Sequence, residues 1–392
     1  MLTALAHALS LASAMGWEIL WPLILGFTLS ACVQAVVSHE EMSRLLPDDR
    51  PKSILRALAL GAASSSCSYA AVALARSLFR KGADFTAAMA FEMASTNLVI
   101  ELSVVLVVLM GWWFAAAEFM GAPIMVAILI LLFRRFLSKR AVETAKEHAE
   151  KGLAGRMEGH ADMDMAVRGR GSILERLASS EGFTATSHYF VMDWASVWID
   201  IVLGLLIAGA LAAWVPPQFW QAFFLVHHPL LARIWGPLIG PLVSVISFVC
   251  SVGNIPLAAV LWNGGISFGG VIAFIFADLI VLPVLDIYRK YYGWGMTGFL
   301  LVTFYAAMAG AAFVVEAVFG ALGLIPMEHH TLVVEAAIRW NYTTWLNLLF
   351  LSLAAVLLWR FFRTGGPAML RMMNAPDIKH SPARGGNHSH SA

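Results

Sequence analysis

The chain has 392 residues, 59% of them hydrophobic and 13% charged, with a mean hydropathy of +0.74. Those values exclude an ordinary soluble domain. The net charge of +1 says nothing about partners, and no basic patch interleaved with aromatics points to nucleic acid.

Several apolar runs of about 20 residues are long enough to cross a hydrocarbon core as helices. They are continuous and lack the alternation of an outer-membrane barrel, so the expected fold class is an all-α polytopic membrane protein. The N-terminal stretch around Ala12-Ser13-Ala14 has no basic segment before it and reads as a short interfacial helix, not as a cleaved signal. Spans are expected at about Trp17–Val37, Phe85–Phe114 and Phe119–Phe136, and between the first two lies Ile54–Phe79, broken by Ser64-Ser65-Ser66-Cys67-Ser68. Arg134–Ser187 is the one long hydrophilic region, read as two amphipathic helices and a link. Its ten Lys and Arg residues mark it as cytoplasmic.

A further span is expected at Met192–Val215, then an interfacial segment Gln218–Ile234 and a second broken stretch, Gly236–Gly265. Phe268–Tyr288, Thr297–Leu322 and Thr344–Phe362 complete the set. The domain reading is residues 1–137 and 189–322 as two transmembrane halves, 138–188 as a cytoplasmic loop, 323–362 as an extra span and 363–392 as a polar tail.

The two broken stretches resemble each other. Laid without a gap, Cys67–Leu102 and Cys250–Leu285 are identical at 11 of 36 positions, including Ser68/Ser251, Gly82/Gly265 and Phe85/Phe268. Paired interrupted helices in a membrane protein point to a transport site. If both breaks crossed the bilayer, Arg289-Lys290 and the Arg360…Arg363 tail would lie outside, against the positive-inside rule. If both re-enter, every cationic cluster falls inside, giving seven full spans, two hairpins dipping from opposite faces, and two inverted halves. Parallel repeats with nine spans are the alternative.

Bare backbone in lipid is tolerated only where protein or a wet cavity surrounds it, so both breaks are expected to face the interior. The alternative is that their Ser and Gly residues only let helices pack closely. Cys67 and Cys250 stand at the same register, and thiols select soft acceptors. The candidate substrate-binding residues are Ser66, Cys67, Ser68, Asn97, Cys250 and Asn254. Intramembrane acids are costly, with proton relay a leading role, so Glu92, Glu101 and Asp278 are the candidate proton-coupling residues. Asn97 and Glu101, four apart, are expected to share a helical face. Asp286 reads as an ion-pair partner of Arg289 and Lys290, Asp193 as a solvated residue and Asp200 as ambiguous. His160, Met163, Met165, His388 and His390 are candidate weak metal contacts, although exposed residues of these types are more often incidental. There is no G-x-x-x-x-G-K-[ST], G-x-S-x-G or H-E-x-x-H motif. The chain therefore reads as a secondary transporter without cofactor and not as an enzyme.

Ser65–Ala83, Ala94–Leu102, Cys250-Ser-Val-Gly-Asn-Ile-Pro-Leu-Ala and Phe276–Pro283 resemble the bacterial predicted-permease family that includes the ArsP organoarsenical efflux permeases. The resemblance implies motif positions at Ser66, Cys67, Ser68, Asn97, Glu101, Cys250, Asn254, Pro256 and Asp278. It also implies efflux of a trivalent organoarsenical or related metalloid across the bacterial inner membrane. A permease for a divalent metal or a small sulfur compound is the nearest alternative. A membrane scaffold or enzyme subunit that docks a partner through the cytoplasmic loop is the alternative of another class.

Overall fold

The computed structural model describes residues 2–36, 45–64, 68–150, 165–167, 172–245, 251–326, 340 and 342–374, and among them every regular element is a helix. Five helical segments there are long and apolar enough to cross a membrane: 5–34, 85–110, 112–136, 268–322 and 342–363. The chain is an all-α polytopic membrane protein.

The first helix, α1 (Leu2–Gln34), is continuous, so no separate interfacial helix precedes the first span. The first broken stretch is a pair of helices of half-span length, α2 (Pro51–Ser64) and α3 (Ser68–Arg80). A turn at Gly82, whose φ of +103° favours glycine, leads to α4 (Phe85–Asn97), capped by Asp84 accepting from the Ala87 N–H. The helix then breaks at Leu98 and Val99 and resumes as α5 (Ile100–Met110). Gly111 (φ +97°) turns the chain into α6 (Trp112–Phe136). This turn falls earlier than the sequence reading placed it, and Glu118 therefore lies inside the span.

The hydrophilic region holds α7 (Lys139–Ala149) and α8 (Ile173–Ala178), the latter opened by a capping box of Ser172 and Glu175. Next come α9 (Ser180–Trp214) and α10 (Pro217–Phe223). The second broken stretch is again two helices, α11 (Pro229–Val245) and α12 (Ser251–Asn263). Gly253, Asn254 and Pro256 lie within α12, so the chain is helical where the sequence reading expected the second interruption. Gly265 (φ +94°) leads to α13 (Phe268–Phe276), capped by Ser267, then to a 3₁₀ turn at Ala277–Ile280 and to α14 (Leu282–Leu322), kinked at Gly293 (φ +81°). The last helices are α15 (Tyr342–Arg363) and α16 (Gly366–Asn374).

The ends of each broken stretch meet. The Asp84 N–H, after α3, donates to the Leu46 carbonyl, before α2, at 2.9 Å. After α12, a Cβ at Gly265 would stand 2.6 Å from Cγ2 of Val226, which precedes α11. Each stretch therefore enters and leaves at one end of the bundle. Helix α6, about 37 Å long at 1.5 Å per residue, shows that the two ends are opposite. Near its C-terminus Arg134 pairs with Asp49 at 2.9 Å, beside the first hairpin. Near its N-terminus Phe114 packs on Trp262 and Phe268, beside the second, with ring centroids 5.1 and 4.9 Å apart.

Helices α1 and α9 run antiparallel. Gly209 lies against Ala8 and Ala12, Gly16 against Leu205, and at the far end Gln34 donates to Asp193 at 3.1 Å. Asp193 is thus buried and bonded, not solvated. Asp286 pairs with Arg289 (2.7 Å) and Lys290 (2.8 Å), as its spacing suggests.

In a background without cysteine, Arg50→Cys and Lys81→Cys should be labelled by a membrane-impermeant thiol reagent from one face, and His228→Cys and Asn263→Cys from the other. Labelling of Arg50→Cys and Lys81→Cys from opposite faces would mean that the first broken stretch crosses.

Candidate functional site

The two hairpins point at each other. Ser68 is the first residue of α3 and Ser251 the first of α12. The Ser68 hydroxyl donates to Asp278 Oδ2 at 2.6 Å and accepts from the Ser251 N–H at 3.3 Å. All three residues are buried. The first N–H groups of a helix have no partner within it, and the aligned peptide dipoles place partial positive charge there. Two such termini here adjoin a carboxylate that neither helix supplies.

Asp278 is held by the 3₁₀ turn between α13 and α14. Pro283 forces that irregularity, because a helix continuing from α13 would need its N–H and would clash with its ring. Asn254 extends the junction. Its Nδ2 donates to Ser244 Oγ at 3.3 Å, tying α12 to α11. Pro256 has no N–H to return to the carbonyl of Val252.

Glu92, on α4, is fully buried. It accepts a very short hydrogen bond from the Tyr288 hydroxyl at Oε1, while Oε2 has no partner among the described residues. Asn97 ends α4, donating to the Met93 carbonyl (3.1 Å) and the Thr96 hydroxyl (2.9 Å). The break at Leu98 and Val99 separates it from Glu101, so the two do not share a helical face. Glu101 is instead buried against α1, where a Cβ at Gly26 would fall 1.9 Å from its own. Ser66, Cys67 and Cys250 lie outside the described residues, as do His160, Met163, His388 and His390.

One acid escaped the sequence reading. Glu118 is completely buried in α6, and neither carboxylate oxygen has a hydrogen-bond partner among the described residues. It shares a face with Gly121, one turn on, where a Cβ would lie 2.7 Å from Cζ of Phe276, two residues before Asp278. The available signal was a lone carboxylate in the apolar run Trp112–Phe136; ending one span at Phe114 and starting the next at Phe119 hid it. Among the described residues no three His, Cys, Asp or Glu side chains are grouped to hold a metal ion.

Helices that enter a bundle from opposite ends and meet at buried polar groups, inside a frame of spanning helices, belong to a multi-pass membrane protein. The chain belongs to the ArsP_1 family, described as "Predicted permease", which it matches over residues 4–317. It is 61% identical over 380 residues to "Putative permease Rv2963" of Mycobacterium tuberculosis (strain ATCC 25618 / H37Rv), covering 97% of this chain and 94% of that protein. No solved structure matches it.

Ser68→Ala takes the shared hydroxyl from both Asp278 and Ser251. It should lower stability by about 1–3 kcal/mol, the cost of leaving buried polar groups without a partner, measured by denaturant unfolding in detergent. A variant as stable as the parent would mean that the bond contributes nothing to the junction.

Proposed function

We propose that this chain is a secondary permease of the bacterial inner membrane that exports a trivalent organoarsenical or related soft metalloid by alternating access. The observation that carries the reading is the Ser68 hydroxyl bound at once to Asp278 and Ser251, which joins the starts of both broken helices at one buried point. Cys67 and Cys250 each precede one of these serines, a single step of about 3.8 Å between Cα atoms. Two thiols suit a soft acceptor better than a hard cation.

In this reading Ser66, Cys67, Ser68, Asn97, Cys250 and Asn254 bind the substrate, and Glu92, Glu101 and Asp278 take part in coupling. The halves, residues 1–137 and 189–322, are inverted repeats that rock about the junction. Their matched features support it. Gly82 and Gly265 both have positive φ, Asp84 and Ser267 both cap the following helix, and Gly111 and Gly293 both break the one after. The antiparallel run of α1 and α9 is what inversion requires. Membership of a permease family favours a transporter over an enzyme.

Cys67→Ser and Cys250→Ser should each reduce uptake of a trivalent phenylarsenical by inverted membrane vesicles to the level of vesicles without the protein, with the melting temperature unchanged. Wild-type uptake by the double variant would overturn the thiol mechanism.

A further inference from the structure

We propose that two ion pairs, Asp49 with Arg134 at the cytoplasmic end and Arg233 with Glu316 at the outer end, are the two gates of this permease, set in equivalent places in its halves with their charges reversed. The gating role rests on the permease reading above; the existence of the pairs does not.

The anchor of each pair lies on a long helix of the frame. Arg134 of α6 stands 23 residues after Gly111, and Glu316 of α14 stands 23 residues after Gly293, the glycines of positive φ that open these two segments. The partners lie at the bases of the hairpins, Asp49 33 residues before Gly82 and Arg233 32 residues before Gly265. The two pairs thus agree in register to within one residue, while acid and base have changed places. What recurs is an attraction at that position and not a particular side chain.

Each anchor makes two contacts with the unit it holds. The Arg134 guanidinium donates from Nε to Asp49 Oδ2 and from Nη2 to the Asp49 carbonyl, both at 2.9 Å. Glu316 accepts from the Gly269 N–H in the first turn of α13 at Oε2, and its Oε1 lies 3.7 Å from Arg233 Nε on α11. The Arg134 end carries the cations Arg135, Lys139 and Arg140, which the positive-inside rule makes cytoplasmic.

Both pairs border a cavity between a hairpin and the frame. At the inner end a space of about 350 Å³ lies between Ile54 and Leu58 of α2 and Ala127 and Leu131 of α6, and Asp49 and Arg134 line it too. At the outer end about 460 Å³ lies between Pro229 and Ala232 of α11 and Gly320 of α14, lined also by Arg233 and Glu316. On its other side each hairpin is in close contact with the helix that follows it. Gly61 leaves no room for a Cβ against Phe91 and Ala94 of α4, nor does Gly236 against Ser267 and Gly270 beside α13. A hairpin that moves with its tight neighbour opens at the cavity, and the ion pair is what spans that opening. Arg134, Asp49 and Arg233 are partly exposed, and such pairs are weak. Weak contacts suit gates that break and reform in every cycle between states close in energy.

Cys67 and Cys250, one residue before Ser68 and Ser251, serve as reporters of access to the junction. The full chain carrying Cys32→Ala is alkylated with a membrane-impermeant maleimide, from the outer face in right-side-out vesicles and from the cytoplasmic face in inverted ones. Asp49→Asn should raise alkylation from the cytoplasmic face and lower it from the outer face by about two- to fivefold, the shift that loss of a partly exposed ion pair allows. Arg233→Gln, which keeps the bond between Glu316 and Gly269, should do the reverse. Asp49→Arg combined with Arg134→Asp should return to the parent pattern. Shifts in the same direction for both single variants, as general loosening would give, or alkylation unchanged in both, would overturn the proposal. Uptake of a trivalent phenylarsenical by the inverted vesicles should fall in both single variants. A parent protein that moves no arsenical removes the permease reading for that substrate, while the alkylation pattern still decides on the gates.

Discussion

Backbone polar groups cannot be left bare at the depth of a bilayer, and this structure starts two helices there, at Ser68 and at Ser251. The first turns of α3 and α12 present N–H groups with no helical partner. The Ser251 N–H of α12 finds the Ser68 hydroxyl of the other hairpin, and that hydroxyl itself donates to Asp278 Oδ2. Withdrawing either hairpin alone would strand groups on the other, at about 1–3 kcal/mol for each buried polar group left unpaired. The long helices form the wall that keeps this junction away from lipid.

Close backbone approach lets the hairpins reach so far inward. Against α4, a Cβ at Gly61 of α2 would stand 2.5 Å from the Phe91 carbonyl oxygen, and against α13, one at Gly240 of α11 would stand 2.4 Å from that of Gly270. Lipid tails are as apolar as leucine, so helices in a membrane adhere through such contacts and not through hydrophobic burial. Both hairpins use the same device on the outer side of their tips, leaving the inner side to the polar junction.

The architecture was legible where composition and charge speak directly. Apolar run length identified the class, the placement of Arg289 and Lys290 argued for re-entry, and Asp286 with its two cations was readable from spacing alone. The features that were not legible depend on where helices end. A break at Leu98 and Val99, inside an apolar run with no Gly or Pro to mark it, undid the shared face expected of Asn97 and Glu101. The turn at Gly111 was missed because apolar residues flank it on both sides, and with it went the burial of Glu118. The hydrogen bond between Ser68 and Asp278 joins residues 210 apart in the chain, and no local pattern encodes it.

The sequence similarity between the two broken stretches does not extend to the acids. In the register that lays Cys67 on Cys250, Ser68 meets Ser251 and Gly82 meets Gly265, yet Asp278 falls opposite Ser95 and Glu92 opposite Ile275. Ser95 returns its hydroxyl to the Glu92 carbonyl within its own helix and offers nothing to the junction. An alternating-access device needs near-equivalent halves, so that its two states lie close in energy. Equivalent halves alone, however, give no preference between one direction of movement and the other. In the proposed permease that difference is sought in acids with no counterpart across the register, Glu92 in one proposed half and Asp278 in the other. On this reading the likeness of the hairpins provides the switching, and the unlikeness of the helices beside them provides the direction.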